Sequence, residues 1–388
     1  MTNKLYLFLV CSLLCQFSAR SGDPVVKKIE KVIKSALLLR ADSAMTALPI
    51  TITVQSCDRS AGGLHDFYSE GDYWWPNPAD PKGPYIQRDG QTNPGNFTAH
   101  RKAMVRFSQL IGSLGSAYLI TQDEKYVAHA FTHLKAWFIN ESTLMNPSLL
   151  YAQAISGKVT GRGIGVIDMI QLMEVAQGIR VMQKASVVNP AELKKIKNWF
   201  AQYLTWVNTH PYGIEEREAN NNHGTCWVMQ VAVFAKLTGN QAIIDDCKNR
   251  FKTILLPSQM EVNGSFPLEL KRTKPYGYSL FNLDALATIC QLLSDETESL
   301  WDFRLQDGRT VQKAIEFMYP FVANKESWKY PKDIMYWEEW PVAHPFLVFG
   351  YKKTGNKKWF ATWKKLNHFP QTEEVVRNLP VRNPLIWM

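Results

Sequence analysis

A chain of 388 residues, 46% hydrophobic and 20% charged, buries a core readily, which excludes wholesale disorder and low-complexity or collagen-like classes. Lys plus Arg number 44 against 35 Asp plus Glu, and the resulting net charge of +9 favours a polyanionic partner. With 13 Trp and 15 Tyr, whose flat rings stack on pyranose faces, the composition points to an acidic polysaccharide; no nucleic-acid-binding module is recognisable.

At the N-terminus, Lys4 precedes an apolar run from Leu5 to Leu14 that is too short to span a bilayer, and the small residues Ser18, Ala19 and Ser21 follow. This is the layout of a cleavable secretory signal over residues 1–21, so the mature chain, 22–388, is expected as a single domain in the periplasm or outside the cell. Lipidation at Cys15 is the alternative, and the large Leu14 before it weighs against that. The remaining Cys57, Cys226, Cys247 and Cys290 show no CxxC pairing, so no structural zinc site is expected and a disulfide is permitted but not required. No Asp-rich loop of the EF-hand type is present, which disfavours a calcium-assisted reaction.

Helical periodicity then dominates. Residues 26–41 carry one stripe of Val26, Ile29, Val32, Ile33, Leu37 and Leu38. Later helices come in pairs: 97–121 with 124–139, 163–185 with 191–209, 220–237 with 240–256, and 342–353 with 357–366. The joints hold Gly or polar residues, or the Asn189-Pro190 start signal. Hairpins repeated in this way must bury their apolar faces on one another, which predicts an all-α (α/α)n toroid with a central cleft, an open solenoid being the alternative. Two segments break the period: 57–96, rich in Gly, Pro and aromatics, and 261–278. Long structured loops on a rigid helical scaffold are where chemistry tends to sit.

The sharpest cluster is NNNHGTCW, Asn220 to Trp227. Asn220 or Asn221 suits a helix N-cap, whereas Asn222 and His223 lead straight into an apolar helix. Arg272 and Tyr278 lie six residues apart in the second loop; pairing of Arg272 with Glu269 and a cleft-wall role for Tyr276 and Tyr278 are the plainer readings. Jointly, Asn, His, Arg and Tyr suit β-elimination on a uronic acid polymer. Charge builds on the carboxylate as the C5 proton leaves, so donors such as Asn222 and Arg272 are needed there, with a base for the proton and an acid for the C4 oxygen.

The stretches DYWWPNP, LLYAQAISGKVTGRGIGVID, the NNH triplet and GSFPLELKRTKPYGYSLFNLDAL resemble the alginate lyase-like superfamily of polysaccharide lyases, most closely polysaccharide lyase family 38 and more distantly family 5. The likeness spans roughly residues 57–290. It implies an α/α toroid, no cofactor and lytic cleavage of β-linked uronates. It also implies that Asn222 and Arg272 neutralise the carboxylate, that Tyr278 is the acid, and that His223 is the base or its partner. In mannuronate and glucuronate the C5 proton and C4 oxygen share one face, so Tyr278 alone suffices as base and acid; guluronate needs a base across the ring, the place for His223.

Tyr73, Trp74 and Trp75 are expected as a sugar platform, with buried loop anchors as the plainer reading, and Tyr276 as a further substrate contact. His100 and Arg162 are expected to meet carboxylates in neighbouring subsites, and Glu338 and Glu339 to face solvent. The expected activity is β-1,4-uronan cleavage, with mannuronate-rich alginate first and glucuronan second. A glycoside hydrolase pairing Asp72 with Glu215, Glu216 or Glu218 is the main rival, but EERE reads as an exposed turn. A non-catalytic envelope glycan-binding protein is the other rival, and it has no need of both motifs.

Overall fold

The computed structural model describes residues 23–388, so the secretory signal expected over residues 1–21 lies outside the described residues. The chain first forms α1 (Pro24–Ala44), started by the Asp23 side chain capping the Val25 N–H. Of the expected stripe, Ile29, Ile33 and Leu37 are buried together with Ala41, whereas Val26 and Leu38 are half-buried and Val32 is exposed. Then follow α2 (Ala99–Thr121), α3 (Lys125–Phe138), α4 (Leu172–Met182), α5 (Pro190–Thr209), α6 (Pro211–Arg217), α7 (Asn222–Thr238), α8 (Gln241–Arg250), α9 (Pro275–Leu293), α10 (Val311–Ala323), α11 (Pro345–Thr354), α12 (Lys357–Lys365) and α13 (Glu373–Arg377). A tight 3-10 stretch, Gly163–Gln171, leads into α4.

The packing is that of an (α/α)n toroid. Helices α2, α4, α7, α9 and α11 pack successively as an inner row, and α1, α3, α5, α8 and α12 back them from outside. The inner helices are apolar nearly all round, which explains why α7 and α9 are buried along almost their whole length. Where α2 meets α4, a Cβ on Gly178 would fall 2.6 Å from Ile111 and one on Gly115 would fall 3.3 Å from the Gly178 Cα, so two missing side chains set that close approach. Aromatic rings fill the space behind, as in the parallel stack of Phe107 on Trp137 at 4.7 Å.

Among the described residues, four short strands belong to the loops. Tyr68–Glu70 (β1) pairs in parallel with Tyr151–Ala154 (β4), and Trp74–Trp75 (β2) pairs antiparallel with Ile86–Gln87 (β3). They pin the segment 57–96 against the toroid. Among the described residues, no helix is long and apolar enough to cross a membrane, and Cys57, Cys226, Cys247 and Cys290 are free thiols.

Candidate active site

A cavity of about 580 Å³ opens where the N-terminal ends of inner helices converge. Arg101 comes from the first turn of α2, Asp168 from the 3-10 stretch before α4, Asn222 and His223 from the start of α7, and Tyr278 from the start of α9. The positive ends of these helix dipoles therefore gather around one space, which favours an anionic ligand.

The Asn run divides its duties by position. Asn221 is the N-cap and accepts from the His223 N–H at 3.2 Å. Asn222 is buried, with its N–H and Nδ2 each donating at 2.8 Å to the two oxygens of Glu269. The His223 Nδ1 lies against both carboxylate oxygens of the buried Glu216. Burial pulls the His223 pKa down, but the charge and hydrogen bond of Glu216 outweigh it and hold the ring above its ordinary value. Burial pushes the Glu216 carboxyl up.

Arg272 donates to Asp89 at 2.9 Å rather than to Glu269, which serves Asn222 instead. Its guanidinium carbon also sits 4.4 Å from the centre of the Tyr278 ring. The Tyr278 hydroxyl shares a 2.6 Å hydrogen bond with the Tyr73 hydroxyl. Burial raises the Tyr278 phenol well above its usual value, against the opposing pull of Lys274 and Arg272.

Of the residues singled out in the sequence, Asn222, His223, Arg272, Tyr278, Tyr73, Trp74 and Arg162 line this cavity together. Three do not. His100 is buried, its Nδ1 accepting from the Tyr68 N–H and its Nε2 engaged by the Gln55 carbonyl; the next residue, Arg101, reaches the cavity. Tyr276 is fully buried with its hydroxyl on the Phe321 carbonyl, because two residues along a helix is about 200° of turn from Tyr278. Trp75 points away from Trp74 by strand alternation, and its indole donates to the Gln91 carbonyl at 2.9 Å. Glu216 is likewise not in an exposed turn, whereas Glu218 and Glu339 are exposed.

Arg101, Asp168 and Arg377 carried no signal in the sequence, and Asp72 stood out there only as a hydrolase carboxylate. Asp72 bridges Arg101, at 2.8 Å, and Arg377. Arg101 also meets Asp168 at 3.2 Å, and Arg377 meets Glu374 at 2.6 Å. Burial raises Asp72, but Arg101 and Arg377 overcome it and hold the carboxyl well below the usual range. An acid locked between two arginines is a poor proton donor, which removes the carboxylate pair a hydrolase would need. Among the described residues, no group of three His, Cys, Asp or Glu side chains is placed to hold a metal ion.

Residues 52–328 match the alginate lyase family model. The chain belongs to the alginate lyase family. An alginate lyase from Bacteroides ovatus is 30% identical, with 94% of this chain and 97% of that chain covered and a TM-score of 0.79. Alginate lyase A1-III from Sphingomonas species A1 is 14% identical over 82% of this chain and 87% of that one, TM-score 0.52. A histidine-to-alanine variant of alginate lyase A1-III complexed with a tetrasaccharide gives a TM-score of 0.55 at 14% identity, over 82% of this chain and 86% of that one. At that identity the likeness shows the toroid alone. No curated protein sequence matches the chain. As a member of the alginate lyase family, the chain is a polysaccharide lyase, and both rival readings of its sequence give way to that assignment.

Proposed function

We propose that this lyase cleaves β-1,4-linked mannuronate-rich alginate by syn β-elimination, with Tyr278 exchanging the protons. The observation that carries this reading is the Glu216 carboxylate 2.9 Å from the His223 Nδ1. The Glu216 charge favours the protonated, donating form of the ring, so in this reading His223 joins Asn222 and Arg272 in neutralising the substrate carboxylate and does not serve as base. Tyr278 is then the group left to remove the C5 proton and return one to the C4 oxygen as that bond breaks. Arg272 and Lys274, both over its ring, favour the phenolate that the first step requires.

On this reading the substrate's C5 proton and C4 oxygen must share a face, as in mannuronate. Glucuronan satisfies the same geometry and is the second substrate. The acidic polymer, the gathered helix N-termini and the net charge of +9 agree with one another. The Lys4 to Ser21 signal pattern supports action in the periplasm or outside the cell.

The test is ultraviolet absorbance of the new conjugated double bond during incubation with polymannuronate, polyguluronate and glucuronan. Absorbance should rise on polymannuronate and fall by about 10²-fold or more in Tyr278→Phe. A preference for polyguluronate would sink the syn assignment and return His223 to the role of base.

A further inference from the structure

Between Glu339 and Glu373 the chain has six lysines and no acidic residue, so a local charge of +6 stands in a protein whose whole net charge is +9. Lys352 and Lys353 end α11, where cations suit the negative end of the helix dipole, and Lys353 also pairs with Asp302 at 2.5 Å. The other four, Lys357, Lys358, Lys364 and Lys365, belong to α12. Among the described residues none of these four forms an ion pair. Lys357 and Lys358 moreover occupy the first turn, at the positive end of the dipole, where a cation is unfavourable.

Helix α12 is anchored by Trp359 and Trp363, which are 4% and 1% exposed. At 3.6 residues per turn the lysines fall on the opposite side in two rows, Lys357 with Lys364 and Lys358 with Lys365, and all four are exposed. Exposed Ala361 lies between the rows, so the face is a shallow trough with a short side chain as its floor. Within each row the lysines are seven residues apart, about 10.5 Å along the axis. At one rim the half-buried Phe360 is backed by the Tyr351 ring at 4.4 Å, and the Lys364 Nζ lies 5.3 Å from its centre. Helix α12 contributes no residue to the cleft.

Four like charges on one helix face repel one another until a counter-charge arrives. A β-1,4-linked uronan is a flat ribbon whose successive rings are turned over, so its carboxylates leave alternately from two edges. Two lysine rows on either side of an alanine floor match those edges. The apolar side of α12 is occupied by the core, which leaves no face to enter a bilayer and favours a polymer over a membrane. We infer that the lysine face of α12 is a second, non-catalytic docking surface for the uronan chain, an inference that rests on the lyase reading for the identity of the polymer. A chain held there and in the cleft at once is kept near the catalytic residues at a raised effective concentration.

The experiment compares the fourfold variant Lys357→Gln, Lys358→Gln, Lys364→Gln, Lys365→Gln with the fourfold variant Lys357→Arg, Lys358→Arg, Lys364→Arg, Lys365→Arg. Affinity electrophoresis through long-chain polymannuronate, in a Tyr278→Phe background, should show binding weakened about tenfold or more by the glutamines and retained by the arginines. With Tyr278 intact, kcat and KM on a mannuronate tetrasaccharide, short enough for the cleft alone, should not change. Unweakened polymer binding in the glutamine variant, an equal loss in the arginine variant, or tetrasaccharide kinetics that fall in step would each overturn the inference. Sedimentation with phosphatidylglycerol vesicles that the glutamines abolish, while polymer binding stays intact, would give the face to a membrane and overturn it too. If the fourfold glutamine variant does not fold, the pair Lys358→Gln and Lys365→Gln decides. If the unsubstituted enzyme forms no double bond on any uronan, the lyase reading fails instead, and polymer binding still judges this face.

Discussion

Glu216 and His223 are joined across the break between two helices: the Nδ1 of His223 lies 2.9 Å from each carboxylate oxygen of Glu216, one residue ending α6 and the other beginning α7. Glu216 has no exposure to solvent, so its charge acts on the imidazole through a poorly screening medium.

A Glu216→Gln exchange is therefore expected to move the acidic limb of the pH profile of kcat/KM. Between the pKa of His223 and that of Tyr278, losing protonated His223 offsets gaining ionised Tyr278; below the His223 pKa the rate falls. Glu216 raises that pKa, so without its charge burial prevails and the limb shifts to lower pH. Activity at neutral pH should drop about 10- to 100-fold, as for other partners that orient a functional histidine. A limb that stays in place would show that Glu216 does not set the protonation of His223.

Arg272→Lys should also be severe. A lysine keeps the charge but cannot both donate to Asp89 and hold a planar cation over the Tyr278 ring, as the guanidinium does. A loss of about 10²-fold in kcat is expected, with little change in melting temperature. Near-normal turnover would mean that charge alone suffices at this position.

Stability should weaken on acidification through His133. Burial and the neighbouring His129 depress its pKa from 6.5 to about 4, so the folded chain binds fewer protons than the unfolded chain between those values. The stability present above pH 6.5 is thus lost progressively as pH falls toward 4. Denaturant titrations of His133→Gln should show a flatter dependence over that window; an equal slope would assign the acid sensitivity to other groups.

Gly178→Ala tests the contact between α2 and α4. The added methyl would lie 2.6 Å from the Ile111 side chain and 3.2 Å from its carbonyl oxygen, so the helices must part. The expected cost is about 1–3 kcal/mol, read as a lower midpoint in urea. A wild-type midpoint would mean that the helices have room that these distances deny.

The hairpin architecture was legible because paired amphipathic stretches with Gly or Asn-Pro joints leave few ways to bury their faces. Asn222, His223, Arg272 and Tyr278 were legible as unusual polar groups opening apolar helices. Glu216 was not, since the charged string around it has the pattern of a solvated turn and the interruption of the helix before α7 hides its spacing from His223. His100 and Tyr276 failed on direction alone. One residue along α2 and two along α9 turn a side chain from the cavity to the core, and composition carries no angular information at the first turn of a helix. Asp89 and Arg377 became visible only when distant segments met.

Arg377 and Arg382 bear on the order of events in folding. Arg377 forms one wall of the cavity through Asp72, 305 residues away, and Arg382 donates to Ser108, 274 residues away, and Gln171, 211 residues away. Contacts of such separation demand closure of very long loops and tend to form late. The catalytic space therefore acquires its final wall only after the rest of the ring is in place, so a chain halted short of that step carries its catalytic residues without an assembled binding site.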